Sequence, residues 1–137
     1  MKTKLLVFLI TLVVVVGGYW LYLRKDNGID YADLIQVDAP QAGAVVTSPL
    51  IVRGKARGTW YFEASFPVRL LDANGVELAV VPAQAQGDWM TTEFVPFEVT
   101  LTFAPPATKT GTLILQNDNP SGLPENAKEI RIKVKFL

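Results

Sequence analysis

From residue 34 onward the chain alternates between apolar and polar positions in short runs, broken by turn residues. In the clearest run Phe97, Val99, Leu101 and Phe103 fall on one side, and Glu98, Thr100 and Thr102 on the other. Period two sends successive side chains to opposite faces, so residues 91–103 predict a half-buried strand. The final run repeats the pattern: Ile130, Ile132, Val134 and Phe136 alternate with Arg131, Lys133 and Lys135. Cations along one face of a closing strand predict a protected sheet edge. Leu34-Ile35-Gln36-Val37-Asp38, stopped by Pro40, predicts a first edge strand, and Leu50 to Ala56 predicts the next. Gly43 and Ser48-Pro49 punctuate Ala44-Val45-Val46-Thr47 between them.

Residues 59–71 hold the densest group, Trp60, Tyr61, Phe62 and Phe66 with Val68. Aromatic and β-branched side chains pack well on a pleated surface, so this stretch predicts a central strand. Asp72-Ala73-Asn74-Gly75 then predicts a tight hairpin, because Asn-Gly tolerates positive φ, and it separates residues 68–71 from residues 76–81. Pro82 reads as the end of that second strand and residues 84–87 as a loop. Pro105-Pro106 and the stretch 117–126 are further loops, with Leu113-Ile114-Leu115 between them. No helical periodicity occurs after residue 25. About seven short strands in some hundred residues predict an all-β, immunoglobulin-like antiparallel β-sandwich, with a small barrel as the alternative.

The N-terminal pattern is different. After a short head at residues 1–4, residues 5–23 carry no charge, with Lys2 and Lys4 before them and Arg24 and Lys25 after. As a helix this run spans about 28 Å, close to the thickness of a bilayer core. Tyr19, Trp20 and Tyr22 gather at its far end, where amphipathic rings favour the membrane interface. The segment therefore predicts a transmembrane anchor, with a signal peptide cleaved near Val16-Gly17-Gly18 as the competing reading. The expected topology places the N-terminus in the cytoplasm, residues 24–33 as a linker, and the domain at 34–137 on the extracytoplasmic side. Cleavage would instead release a secreted domain.

Composition narrows the function. Of 137 residues, 50% are hydrophobic, enough for a core held together without disulfides. With no histidine and no cysteine, no Ser-His-Asp triad, His-ligated metal or thiolate nucleophile can be built. Setting Lys2 and Lys4 aside leaves 11 basic against 13 acidic residues, no footprint for nucleic acid. No cofactor is expected.

Five residues stand out as candidate partner contacts: Arg57, Trp60, Tyr61, Glu63 and, in the motif Gly87-Asp88-Trp89-Met90, Trp89. Aromatic faces and arginine are typical anchors of glycan, peptide or protein contacts. The competing reading packs the tryptophans in the core, although adjacent Trp60 and Tyr61 would point to opposite faces of a regular strand. Glu63 suits a cross-strand ion pair with Arg53, Lys55, Arg57 or Arg69. Glu63 with Glu93 or Glu98 would make a glycoside-cleaving pair only across a cleft about 5–10 Å wide. Asn117-Asp118-Asn119 with Glu125 offers oxygen ligands, but the spacing fits a turn cluster better than a calcium loop.

The order of motifs resembles the immunoglobulin-like domain family of bacterial spore germination, Gmad2. The resemblance runs through Ser48-Pro49-Leu50, the Val-Arg-Gly-Lys-Ala strand ending at Ala56, and the residues from Trp60 to Val68. It continues through Asp72-Ala73-Asn74-Gly75, Gly87-Asp88-Trp89-Met90, Phe94-Val95-Pro96-Phe97 and Asn119-Pro120-Ser121-Gly122. It implies an exported immunoglobulin-like sandwich, often tethered to membrane or lipid, and carries no catalytic activity or ligand with it. The function expected is a membrane-anchored, non-catalytic binding or assembly module of the bacterial cell envelope, whose partner is another envelope protein or a glycan. A purely structural subunit of a membrane complex is the alternative, and a carboxylate-based glycan-acting enzyme the least favoured.

Overall fold

Each alternating run becomes a strand, and one more strand forms than the pattern predicts. The strands are β1 (Ile35–Ala39), β2 (Val45–Val46), β3 (Leu50–Arg57), β4 (Ser65–Asp72), β5 (Glu77–Ala85), β6 (Phe94–Leu101), β7 (Thr110–Gln116) and β8 (Glu129–Phe136). The additional one is β2, only two residues long and too short to show a period. The computed structural model describes residues 30–137, and they include the compact unit Tyr31–Leu137. The anchor expected at 5–23 and most of the linker expected at 24–33 lie outside the described residues. Among the described residues no helix is long and apolar enough to cross a membrane.

All eight strands join in one hydrogen-bonded sheet, ordered β1-β3-β6-β5-β4-β7-β8-β2. Neighbours are antiparallel except β2 and β8, which run parallel, so the fully antiparallel expectation fails at that one pair. The sheet folds into two layers, β1-β3-β6 against β5-β4-β7-β8-β2. Phe66 of β4 and Phe97 of β6 meet edge-on across the interior, ring centroids 5.0 Å apart. Strict alternation drives this folding: β3, β4 and β6 each bury every second residue. Val52, Val68, Leu70, Leu101, Leu113, Leu115 and Val134 line the shared core. At the fold the ladder between β5 and β6 is short, pairing Gln84 with Glu98 and Ala85 with Phe97. The outer strands β1 and β2 do not pair, so the sheet is not a closed barrel.

Pro82 does not end β5. It lies inside the strand, directly opposite Pro67 of β4. Two prolines cannot exchange N–H···O bonds, so theirs is a non-hydrogen-bonded pair and both ring nitrogens face outward. On β4 that side lies beyond the β7 ladder, which starts at Val68; on β5 it is the side β6 leaves unpaired before Gln84. The predicted hairpin forms between β4 and β5, but only Gly75 takes positive φ, at 80°. Asp72, though buried, fixes the turn through Oδ1, which accepts from Asn74 N and Val76 N at 2.8 and 2.9 Å.

The registers place loops 58–64, 86–93 and 117–128 at one end of the layers, here the upper end, together with Tyr31. Loops 40–49, 73–76 and 102–109 close the lower end, beside Leu137.

Candidate functional site

The upper end gathers all five residues singled out in the sequence, and packing explains most of them. β4 starts at Ser65, not at Thr59; the chain before it is a 3₁₀ turn, Gly58–Trp60, followed by extended Tyr61. Because this stretch is no regular strand, alternation does not apply, and Trp60 and Tyr61 are both core, 1% and 4% exposed. Trp60 meets Tyr31 edge-on at 6.1 Å, and its Nε1 is buried with no hydrogen-bond partner among the described residues. Tyr61 packs on Phe66 and donates its hydroxyl to Val95 O at 2.7 Å. Burial drives the Tyr61 pKa well above the usual phenol value, with an opposing contribution from the Ala56 backbone, the partner of Val95 across the ladder.

Gly87-Asp88-Trp89-Met90 forms a lid over that turn. Asp88 Oδ1 accepts from Met90 N at 3.0 Å, and the carbonyls of Trp89 and Thr91 press so closely on Gly58 that no Cβ fits there. Trp89 is half-buried against the core, while Met90 is 75% exposed. Arg57 acts as a staple. Its guanidinium lies 3.9 Å over the Phe94 ring, Nε donates to Asp33 O at 3.1 Å, and Glu93 sits 3.8 Å away.

Glu63 is exposed, in the turn between Phe62 and Ser65, which exchange hydrogen bonds of 3.0 and 3.2 Å. Glu63 and Ala64 take positive φ, 50° and 66°, where side-chain-bearing residues are strained. Lying in a turn, Glu63 does not form the cross-strand pair expected of it. Arg53 faces Glu98 at 3.9 Å, Arg57 faces Glu93, and Arg69 bonds Glu77 at 2.7 Å. Glu93 and Glu98 are thus held by arginines on the outer face, and no cleft brings them to Glu63. The Asn117 amide bonds Asn126 O and Lys128 N, and Asn119 bonds Leu123 O, so these amides close their own loop. Among the described residues no group of three acidic side chains could hold a metal ion.

A concavity lies at the lower end, where sequence reasoning placed no site. It has a volume of about 280 Å³, with walls of Val46, Phe103, Pro105, Pro106 and Phe136. Phe103 and Phe136 lean together at 6.0 Å and form its aromatic floor. Thr47, Ser48 and Leu137 complete the rim, with Ser48 Oγ accepting from Phe103 N at 3.0 Å. A signal did exist. Two alternating runs end in phenylalanine, Phe103 and Phe136, and the first leads straight into a double proline.

The model of the immunoglobulin-like domain of bacterial spore germination, Gmad2, matches residues 34–122. The chain belongs to this family. No curated protein and no solved structure matches it. The Gmad2 match spans β1 through β7 and includes the upper loops 58–64 and 86–93. It stops before β8, so Phe136 of the lower cleft falls outside the matched segment while Val46 and Phe103 lie within it.

Proposed function

We propose that this chain is a non-catalytic binding module of the bacterial cell envelope, held at the membrane by residues 5–23, with its Gmad2 domain on the extracytoplasmic side. The observation that carries the binding role is the lower cleft, an aromatic- and proline-walled concavity with no acidic, histidine or cysteine side chain in its lining. Such a surface offers shape and apolar contact but no general acid or base. The anchoring rests on the uncharged run of about 19 residues and the aromatic belt at its end.

Two measurements on the full chain test this reading. Membranes washed with alkaline carbonate should retain the protein, and protease added to intact spheroplasts should remove the domain. A chain that washes off, or one that external protease never reaches, would overturn the localisation.

A further inference from the structure

The lower cleft is apolar inside and cationic outside. Lys109 O accepts from Phe136 N at 2.8 Å, which sets Lys109 beside the aromatic floor. Lys135 precedes Phe136 and faces Val45 and Thr110 across the ladders, and Lys133 O accepts from Gly43 N at 2.7 Å. All three lysines are exposed. The ion pairs of the described residues join Arg53, Arg57, Arg69 and Arg131 to glutamates and involve none of these lysines. Of the nearby carboxylates, Asp72 is buried in its turn, Glu77 is held by Arg69, and Asp38 lies on β1 in the opposite layer. Lys109, with Lys133 and Lys135 on the outer face of β8, leaves the lower end with more positive than negative charge beside an apolar floor, which favours an anion carrying something greasy.

The backbone adds a direction. Lys135 N donates to Ala44 O at 2.9 Å, so by strand alternation the N–H and C=O of Val45 point away from β8. Among the described residues no strand pairs with β2 on that side, and the Val45 side chain is 59% exposed. An extended chain laid along β2 would find main-chain partners there, with the cleft at its flank. At about 280 Å³ the cleft has room for one bulky side chain of such a segment.

We infer that the lower end takes an extended acidic peptide segment, which seats one bulky apolar side chain between Phe103, Phe136 and the prolines while its carboxylates meet Lys109, Lys133 and Lys135. This deepens the binding-module reading and rests on it.

The test is a selection of displayed random decapeptides against the full chain in detergent micelles. The binders are then titrated by fluorescence anisotropy against the wild type, Phe103→Ala and the triple variant Lys109→Gln/Lys133→Gln/Lys135→Gln. Enriched peptides should carry aspartate or glutamate around an aromatic or branched aliphatic residue. Their affinity should fall about tenfold in the triple variant, and raised salt should shrink that difference. The triple variant alters only exposed, unpaired side chains and should keep the wild-type melting temperature, which separates lost contact from lost fold. Enriched peptides that are neutral or basic, or that bind the triple variant unchanged, would overturn this assignment and leave the module reading standing. Concentration-dependent self-association on sedimentation, abolished by the same substitutions, would overturn it in favour of a second copy of the chain. No enrichment on the wild type would overturn the peptide assignment and leave the module reading to the membrane measurements above.

Discussion

The two ends of this domain use aromatic residues in opposite ways. At the upper end Trp60, Tyr61, Phe66 and Phe97 point inward, and a loop backbone seals them against Gly58. At the lower end Phe103 and Phe136 stop short of closure and leave a cleft about 280 Å³ in volume. The difference lies in the backbone. An irregular 3₁₀ turn lets two neighbouring large side chains enter one core, whereas the end of β8 and the loop leaving β6 carry Phe136 and Phe103 on the inward side and leave both rings half-covered. Aromatic density along a chain therefore marks the place of greatest burial, and a recognition surface can sit where aromatics are fewer but unfinished.

That contrast can be broken from the upper end first. Trp60→Ala should cost about 3–5 kcal/mol, as large-to-small core changes do, and should be read by chemical denaturation of the full chain. Gly58→Ala should cost comparably, because its methyl would collide with the carbonyls of Trp89 and Thr91. If either variant kept wild-type stability, the upper end would not be the sealed half of the molecule. Phe103→Ala at the lower end should cost less, about 1–2 kcal/mol, since part of that ring is already exposed.

Tyr61→Phe should cost about 1 kcal/mol, because it removes the buried hydroxyl's hydrogen bond to Val95 O. It also sharpens the comparison through pH. The folded phenol has a pKa raised above that of the unfolded chain, so its contribution is complete below about pH 10. Above that the unfolded state ionises first, and wild-type stability should fall by up to about 1.4 kcal/mol per pH unit until the folded pKa is passed. The part of the alkaline slope that disappears in Tyr61→Phe measures this group. Identical slopes in both proteins would mean the hydroxyl is not buried as described.

The smallest expected effect has the opposite sign. Ala64→Gly should stabilise by about 0.5–1 kcal/mol, since φ of 66° strains alanine and suits glycine. A loss of stability there would show that the Ala64 methyl, half-buried beside β4, contributes more than its backbone strain costs.

Strand positions were legible because one face of each strand is buried, and burial imposes a period of two on the residues. β6 and β8 follow it through their full length, and the hairpin at Asp72-Ala73-Asn74-Gly75 follows from turn chemistry. The parts that sequence reasoning misplaced depend on non-local contacts. β2 exists only because β8 lies beside it, and β5 runs through Pro82 only because its ring nitrogen faces the side that β6 leaves unpaired. The aromatic cluster at 59–71 suggested a strand surface because propensity ignores the glycine at 58, whose lack of a side chain admits the Trp89 loop. The lower cleft joins residues from β2, two loops and the end of β8, and no local window contains more than a fragment of it.

The Pro67–Pro82 pair has a consequence for how the protein behaves at high concentration. Along β5 the side not covered by β6 runs from Glu77 to Ala83, with Val80 exposed and its peptide groups facing outward. Such a margin invites neighbouring molecules to stack on it, edge to edge. Pro82 presents a ring where the next donor would stand, so any incoming strand loses its second rung after Val80. Removing that ring, as in Pro82→Thr, would turn a guarded margin into a growth front, and turbidity on prolonged storage should rise well before any change in melting appears.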